Sequence, residues 1–372
     1  MANRVRVVIK KILLVLTIVV CLVYLLTLIV PYLNPRQWWL VGFLGLTFPY
    51  LFFVLIFIFF FWLIAKPKLA LVPLITILLG FKQISVTFGS HWPNADLSKK
   101  PKGTLRIVSW NVANMYGLST NKEIKQHNRT ELAQSILNLQ PDIVCLQEFN
   151  HSYTQGESAD NINLFTRQLP NYFYSKDFNK DNGYYTSGSV VFSKYPIIDS
   201  AKIDYPGVYT GSLIYVDIKV NNDTLRIFTT HLQSFGFNNA DYAELNKIKQ
   251  RDDKSLEASK NIFIKMKAAF TNRGVQADIV QKQTDSSLYP SIVCGDFNDV
   301  PTSYTYFHIR GAYRNDVFLK NGFGVGKTYS SLAPMLRIDY MLPDTAFTIQ
   351  QFDMVDENLS DHSMLVSDIK LK

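Results

Sequence analysis

The sequence predicts an α/β domain that follows a membrane anchor, and two observations support this division. About the first 90 of the 372 residues contain long apolar runs and almost no acidic residues, as membrane-spanning segments do. From Leu105 onward, short β-branched runs alternate with helix-like stretches, which is typical of an α/β sheet. We therefore expect a membrane anchor at 1–90, a linker at 91–103 and a large α/β domain at 104–372.

The anchor contains two apolar segments that are long enough to cross a membrane. Residues 12–30 form a run of 19 apolar or small residues, and residues 38–65 form a longer run that contains Pro49. A signal peptide is disfavoured for the first run, because no small-residue cleavage site follows it and the second run comes soon after. The adjacent Trp38 and Trp39 suit a membrane interface.

A third apolar segment, 69–88, has two interpretations. Read as 20 residues it can span, with the stem of Lys82 reaching the headgroups; read as 69–81 it is interfacial or re-entrant. Basic residues precede the first span and separate the second from the third, so the positive-inside rule places the N-terminus in the cytoplasm. Three spans would put the large domain outside the cytoplasm, and two would keep it inside. We expect three: a multi-pass protein of the cell membrane whose large domain lies outside the cytoplasm.

The net charge of +8 belongs to the anchor. The chain has 38 basic and 30 acidic residues. Residues 1–98 contain 8 of the basic residues and 1 of the acidic residues, so the rest of the chain contains 30 basic and 29 acidic residues. A nucleic-acid-binding domain usually carries a basic excess of its own, and this domain does not. The three cysteines, Cys21, Cys145 and Cys294, have neither zinc-site spacing nor a disulfide framework, and we interpret them as buried structural thiols.

Polar residues follow several of the predicted strands at the point where each strand ends. These runs are LRIVSWN with Asn111, DIVCLQE with Glu148, LRIFTTHLQS with His231, and SIVCGDFN with Asp296 and Asn298. In addition, the run LRIDYML contains Asp339, and Asp361 and His362 come just before the last strand, in SDHSMLVSDIKL. Each has an ordinary structural alternative, such as a turn for Asp296 or an ion pair between Asp339 and Arg337. Together they predict one pocket, because α/β sheets gather ligands outside their strand ends.

Carboxylate and amide oxygens predominate among these side chains. That set suits a hard cation such as Mg²⁺, with Mn²⁺ as a second possibility, and argues against zinc.

The ordered motifs SWN, CLQE, THLQS, GDFND, RIDY and SDH resemble the endonuclease/exonuclease/phosphatase superfamily over 104–372. The resemblance implies a four-layer α/β sandwich with two mixed β-sheets face to face and helices outside. It also implies a metal-dependent hydrolase of phosphoric ester bonds that uses water as the nucleophile.

The resemblance assigns roles to the residues at the motif positions. Glu148 would be the principal Mg²⁺ ligand, with Asn111 and Asp361 beside it. Asp339 would orient His362, His231 would hold a phosphate oxygen, and Asp296 with Asn298 would position the attacking water and the phosphoryl oxygens. Asp299 is interpreted as a turn residue. Whether Asp296 or His362 accepts the proton of the water stays open, with Asp296 favoured.

The substrate also stays open. A nuclease competes with a sphingomyelinase-like or phosphoinositide phosphatase-like lipid hydrolase, and a non-catalytic membrane receptor or scaffold is the alternative of another class. The charged stretch 236–287 predicts solvated outer helices, although its alternation of lysine with apolar residues could meet a membrane surface. The glycine-rich 322–330 is interpreted as a mobile loop beside the pocket. The lipid bilayer and a phosphodiester are the expected partners, and no protein partner is predicted.

Overall fold

The structure is a computed structural model that describes all residues except 1, 93–94, 120, 153–159, 181–182, 208–210, 239, 244–254 and 332. Residues 1–90, which we call the anchor after their predicted role, begin with helices α1 (Ala2–Thr27) and α2 (Leu40–Ala65), which are joined through a short 3-10 turn, Val30–Tyr32. Helices α3 (Pro67–Leu79) and α4 (Phe81–Thr87) follow, bent by 61° from each other. By length and composition, α1 with the following turn and α2 can each cross a membrane, and α3 with α4 make a third candidate if the bent pair counts as one span.

Two mixed sheets form the large domain, and short strands accompany them. The strands are β1 (Gly89–Ser90), β2 (Leu105–Asn111), β3 (Ile143–Ser152), β4 (Asn171–Tyr174), β5 (Phe178–Lys180), β6 (Tyr185–Ser193), β7 (Ile197–Asp204), β8 (Ser212–Val220), β9 (Asp223–His231), β10 (Ser291–Asp296), β11 (Phe323–Gly324), β12 (Asp339–Pro343), β13 (Phe347–Val355) and β14 (Met364–Leu371). The larger sheet has the order β13-β14-β2-β3-β6-β4, with β5 also paired to β6. The smaller has the order β12-β10-β9-β8-β7, and β1 pairs with β11 in a separate ribbon.

Four of the five domain helices described cover the outer faces of the two sheets, whereas Val317 and Phe318 of the last one pack into the core between them. They are α5 (Lys122–Asn138), α6 (Asn161–Thr166), α7 (Ser255–Asp285), α8 (Tyr304–Arg310) and α9 (Val317–Asn321). Between the sheets, Ile107 and Cys145 of one pack with Ile227 and Cys294 of the other, all fully buried. Side chains of α5 and α6 pack on the outer face of the larger sheet, and those of α7 and α8 on that of the smaller. The predicted four-layer sandwich is confirmed.

Two local predictions differ in detail from the structure. Helix α5 begins at Lys122 rather than near Arg129, because the side chain of Asn121 caps it by accepting the backbone N–H groups of Glu123 and Ile124. The stretch 322–330 contains β11, which pairs with β1 just after the anchor. Part of the expected loop is therefore strand that ties the anchor to the domain.

The anchor packs directly against the domain. Pro49 has no N–H, so the carbonyl of Gly45 one turn earlier loses its helical donor and accepts the hydroxyl of Thr302 instead, at 2.9 Å. Asn34 donates to Asp278 of α7 at 2.9 Å. The beginning of α2 is therefore held to the domain by polar bonds as well as by apolar packing.

Candidate active site

Strand pairing in the smaller sheet brings three predicted site residues side by side. Asp296, the last residue of β10, pairs in register with His231 of the parallel β9 and with Asp339 of the antiparallel β12. In the larger sheet, Asn111 ends β2 beside Gln147 of β3, and Glu148 is the next residue. Both central strand ends therefore open on one edge of the sandwich.

Glu148 lies where β3 departs from regular pairing. Its φ is +50°, and the register of β3 against β6 shifts between Leu146 and Phe149. Asn111 donates its amide Nδ2 to Glu148 Oε1 at 3.1 Å, and Asn114 donates to Glu148 Oε2 at 3.3 Å. The bulge thus turns the Glu148 carboxylate towards the pocket, where its side chain is 35% exposed.

Asp296 is the central acceptor of the site. Its Oδ1 accepts the backbone N–H of Asn298 at 2.7 Å, and its Oδ2 accepts the amides of Asn111 and Asn298, each at 3.1 Å. The Nε2 atoms of His231 and His362 lie 3.6 and 3.8 Å from the same Oδ2. One carboxylate oxygen therefore links side chains from both sheets.

His362 forms an ion pair with Asp339. Its Nδ1 lies 3.0 Å from Asp339 Oδ2, so Nε2 faces Asp296 and the pocket. Thr328 Oγ1 accepts the backbone N–H of Asp339 at 3.1 Å, which fixes the strand end that carries this carboxylate. The alternative pairing of Asp339 with Arg337 is wrong, because Arg337 pairs with the buried Asp316.

Burial and neighbouring charges separate the proton affinities of the two central groups. Burial, together with the nearby Asp339 carboxylate, raises the pKa of Asp296 to about 6, although the two histidines oppose the rise. Burial alone would lower the pKa of His362, but the Asp339 and Asp296 carboxylates outweigh it and raise this pKa to about 10. Burial also raises the pKa of Asp361. At neutral pH His362 is protonated, and Asp296 is mostly ionised.

His231 and Asp361 both line the pocket, a cavity of 340 Å³. His231 is not the fully satisfied buried histidine of the alternative interpretation. Its side chain is 25% exposed, and its Nε2 has no hydrogen-bond partner among the residues that the structure describes. Asp361 is half-buried; the Glu148 carboxylate adds to the rise of its pKa, and His362 opposes it. All eight predicted site residues thus meet at this pocket or directly behind it.

The chemistry of the donor set fits a divalent cation. Four carboxylates, those of Glu148, Asp296, Asp339 and Asp361, surround a pocket with two histidines, so an anionic ester would meet net negative charge without a cation. Donor atoms of Asp296, Asp339 and His362 lie within 4.8 Å of one another, close enough to hold a metal ion. This cluster differs from the predicted ligands Glu148, Asn111 and Asp361. The ion pair between Asp339 and His362 explains why the donor atoms of this cluster lie close together even without a metal ion.

Sequence reasoning missed two residues of the pocket and misread a third. Asn114, with φ of +61°, contacts Glu148, and the Tyr329 ring lies 4.7 Å from that of His362. An asparagine three residues after Asn111 was a visible signal, whereas nothing near Tyr329 marks it. Asp299 is more than a turn residue, because its buried carboxylate pairs with Arg273 at 3.2 Å.

Comparison with known proteins agrees with this geometry. Residues 108–362 match the model of the Endonuclease/Exonuclease/phosphatase family, and residues 10–87 match that of a domain of unknown function. No curated protein sequence matches the chain.

Among solved structures, an endonuclease/exonuclease/phosphatase from Beutenbergia cavernae has 19% identity and a TM-score of 0.51 over 73% of this chain and 72% of its own. The human Nocturnin catalytic domain has 20% identity and a TM-score of 0.49, over 74% of this chain and 97% of its own. D. rerio TDP2 complexed with single strand DNA product has 18% identity and a TM-score of 0.47, over 72% of this chain and 100% of its own. Since the family match covers more than half of the residues, the chain belongs to the endonuclease/exonuclease/phosphatase family and is a hydrolase acting on phosphoric ester bonds.

Proposed function

We propose that the protein is a membrane-anchored, Mg²⁺-dependent phosphodiester hydrolase in which Asp296 activates the attacking water. The observation that carries the proposal is the position of Asp296 Oδ2, which lies among two amide donors and two imidazoles at the pocket. Hydrolysis adds water across one P–O bond and yields a phosphomonoester and an alcohol. A water nucleophile requires a base within hydrogen-bond reach, and a carboxylate with a pKa of about 6 meets that need near neutral pH.

His362 is the donor in this scheme. Because Asp339 holds its Nδ1 and the ring stays protonated, Nε2 donates to a phosphoryl or leaving oxygen and does not accept the proton of the water. The unpartnered Nε2 of His231 takes a second phosphoryl oxygen, and Asn298 helps to fix Asp296. Charge that develops on the phosphoryl oxygens thus meets fixed donors.

Glu148, Asp361 and Asn111 would hold the cation, and Mn²⁺ would serve as well as Mg²⁺. When bound, the cation supplies positive charge to an anionic ester. The Asn111 oxygen accepts the backbone N–H of Ala113 at 3.1 Å, and its nitrogen faces Glu148. Glu148 and Asp361 are therefore the stronger candidates as ligands.

A receptor or scaffold without activity has less support. Such a protein has no need of a buried carboxylate beside a carboxylate-oriented histidine, because burying charges costs stability. Asp296, Asp339 and His362 are all nearly fully buried at the pocket.

The experiment is a chelation assay on the full chain in detergent micelles with bis(p-nitrophenyl) phosphate. We expect p-nitrophenolate release that stops with EDTA and returns with excess Mg²⁺ or Mn²⁺. Activity that survives exhaustive chelation would contradict the metal-dependent mechanism. Absence of activity under every metal would contradict the proposed function itself.

A further inference from the structure

The anchor helix α2 forms part of the catalytic pocket. Leu46 lies in the first half of α2, and it lines the same cavity as Glu148, Asp296 and His362. A helix that served only as a tether would not need to reach the reacting groups. The pocket is therefore complete only when the anchor is docked on the domain.

A second cavity, of 230 Å³, adjoins the catalytic pocket on the side of α2. The two cavities have five lining residues in common: Leu46, Phe235, Phe237, Val300 and Leu336. Apolar side chains make up most of the remaining wall, including Pro49 of α2 and Ile262 and Met266 of α7. The second cavity and the phosphoester site therefore adjoin along these five side chains.

The hydroxyl groups in the second cavity are largely used elsewhere. Thr302 donates to the carbonyl of Gly45 and Thr87 to that of Gln83, so neither offers a free proton to a ligand. An apolar cavity of about 150 Å³ can hold a molecule the size of benzene. The second cavity is larger and equally suited to hydrocarbon.

One face of α2 runs from the catalytic pocket towards the membrane. Leu46, Tyr50, Phe53 and Phe57 follow one another at spacings of four, three and four residues, which places them on the same face of the helix. Leu46 lines the catalytic pocket and Tyr50 the second cavity, whereas Phe53 and Phe57 are 48% and 74% exposed. If α2 spans, the exposed rings face the hydrocarbon of the bilayer.

We propose that the substrate is a membrane lipid phosphoester whose apolar tail lies along this face of α2 and enters the second cavity. Its phosphoester would then lie beside Asp296 and His362, having moved in from the bilayer without passing through water. This inference rests on the proposed function and adds the substrate class. It also gives the anchor a role in binding the substrate.

The test compares two chromogenic diesters that differ only in the alkyl group, p-nitrophenyl hexadecyl phosphate and p-nitrophenyl ethyl phosphate. In both, water displaces p-nitrophenolate and leaves the alkyl phosphate, so the chemistry is constant. The full chain in micelles with Mg²⁺ should have the higher kcat/KM for the hexadecyl ester. Ala333→Trp, at a residue that lines the second cavity but not the catalytic pocket, should lower the hexadecyl-to-ethyl ratio about tenfold or more.

Met266→Trp, at a second residue that lines this cavity and not the catalytic pocket, should act like Ala333→Trp. Retained activity on the ethyl ester shows that either variant is folded. Ala268→Trp, on the exposed side of α7, is the matched control for micelle partitioning and should leave the ratio unchanged. An unchanged ratio in both cavity variants, or cleavage of DNA or RNA but not of the hexadecyl ester, would overturn the inference. If wild type cleaved neither ester, the proposed function would fail as well.

Discussion

Asp296 Oδ2 accepts two amide hydrogen bonds while two imidazoles lie within 4 Å of it. Such a carboxylate is held in one orientation, and its partial neutralisation by the histidines offsets the cost of burial. The neighbouring Asp339 has a different role, because its carboxylate raises the pKa of His362 and so keeps that imidazole protonated. Two buried acids in adjacent strands thus take different roles because one pairs with an imidazole and the other faces the pocket.

We expect Asp296→Asn and His362→Ala each to lower kcat on bis(p-nitrophenyl) phosphate by about two to four orders of magnitude, because each removes a group that acts on the reacting atoms. Asp344→Asn is the matched control and should stay within a few-fold of wild type. Asp344 accepts the N–H of Ser291 at the far end of the same strand pair. Thermal midpoints would establish that the variants are folded. A rate for Asp296→Asn close to wild type would refute the central role of this carboxylate.

Glu148→Gln should mainly weaken metal binding, because the variant keeps the shape of the side chain but loses the charge that attracts a cation. Its activity should therefore rise with Mg²⁺ at concentrations where wild type is already saturated. His362→Ala serves as the comparison and should show no such rescue. A Mg²⁺ titration of both variants distinguishes the two roles, and identical curves would contradict the assignment of Glu148.

At the scale of the element, Gly295 of β10 leaves no room for a side chain beside β9. Gly295 has φ of +134°, and an added Cβ would lie 2.0 Å from the carbonyl oxygen of Thr230 on the neighbouring strand. Since Asp296 comes next and pairs with His231, this close approach sets the spacing of two site residues. Glycine is thus required at position 295 both by the positive φ and by the lack of room for a Cβ beside Thr230.

Gly295→Ala should destabilise the domain by about 1–3 kcal/mol through overpacking, in addition to about 1 kcal/mol for the positive φ. Gly183→Ala is the matched control, because Gly183 also has a positive φ, of +95°, but a Cβ added there would have none of the described residues within 4 Å. The measurement is the thermal midpoint of each purified variant. Equal midpoints for the two variants would show that the contact with Thr230 is unimportant.

The strand-end residues could be predicted from the sequence because strand ends are visible as apolar runs that stop at polar residues. Tyr329 could not be predicted from the sequence, because it lies outside the strands. Its position depends on the hydrogen bond from the backbone N–H of Asp339 to the adjacent Thr328, which the sequence does not reveal. The sequence also contains no indication that Leu46 lines the pocket. Helix α2 is apolar on every side, so its periodicity does not indicate which face the domain covers.

At the scale of the whole molecule, the domain is docked on one end of the anchor. Tyr24 of α1 stacks near Phe48 of α2, and Gly80 after α3 lies against Tyr24, so these three positions are at one level. Asn34 and Gly45 bond to the domain at this same end. At the other end, Trp62 donates to Thr17 at 2.9 Å, and Lys66 follows. The segment after Lys66 must therefore return to the end where the domain lies.

This packing favours three crossings over two. With two, the domain would lie on the side of Lys66, away from the residues around Asn34 that contact it. Helix α3 has 13 residues, which is about 20 Å at 1.5 Å per residue and too short for a hydrocarbon core of about 30 Å. The return therefore requires α4 as well. Lys82 in α4 donates to Tyr32 at 2.9 Å and lies 5.0 Å from the ring of Phe307 in the domain, so its charge lies at the domain end and not at the bilayer centre.

We accordingly expect the N-terminus and Lys66 to lie in the cytoplasm and the catalytic domain outside it. In a bacterial host, alkaline phosphatase fused after Lys372 should be active, and green fluorescent protein fused there should be dark. Fusions after Lys66 should give the reverse pattern and are the internal control. Lys82→Leu should not change the orientation, since Lys82 carries a charge that is already at the surface. A bright fluorescent fusion after Lys372 with inactive phosphatase would mean a cytoplasmic domain, and with it a lipid substrate drawn from the inner leaflet.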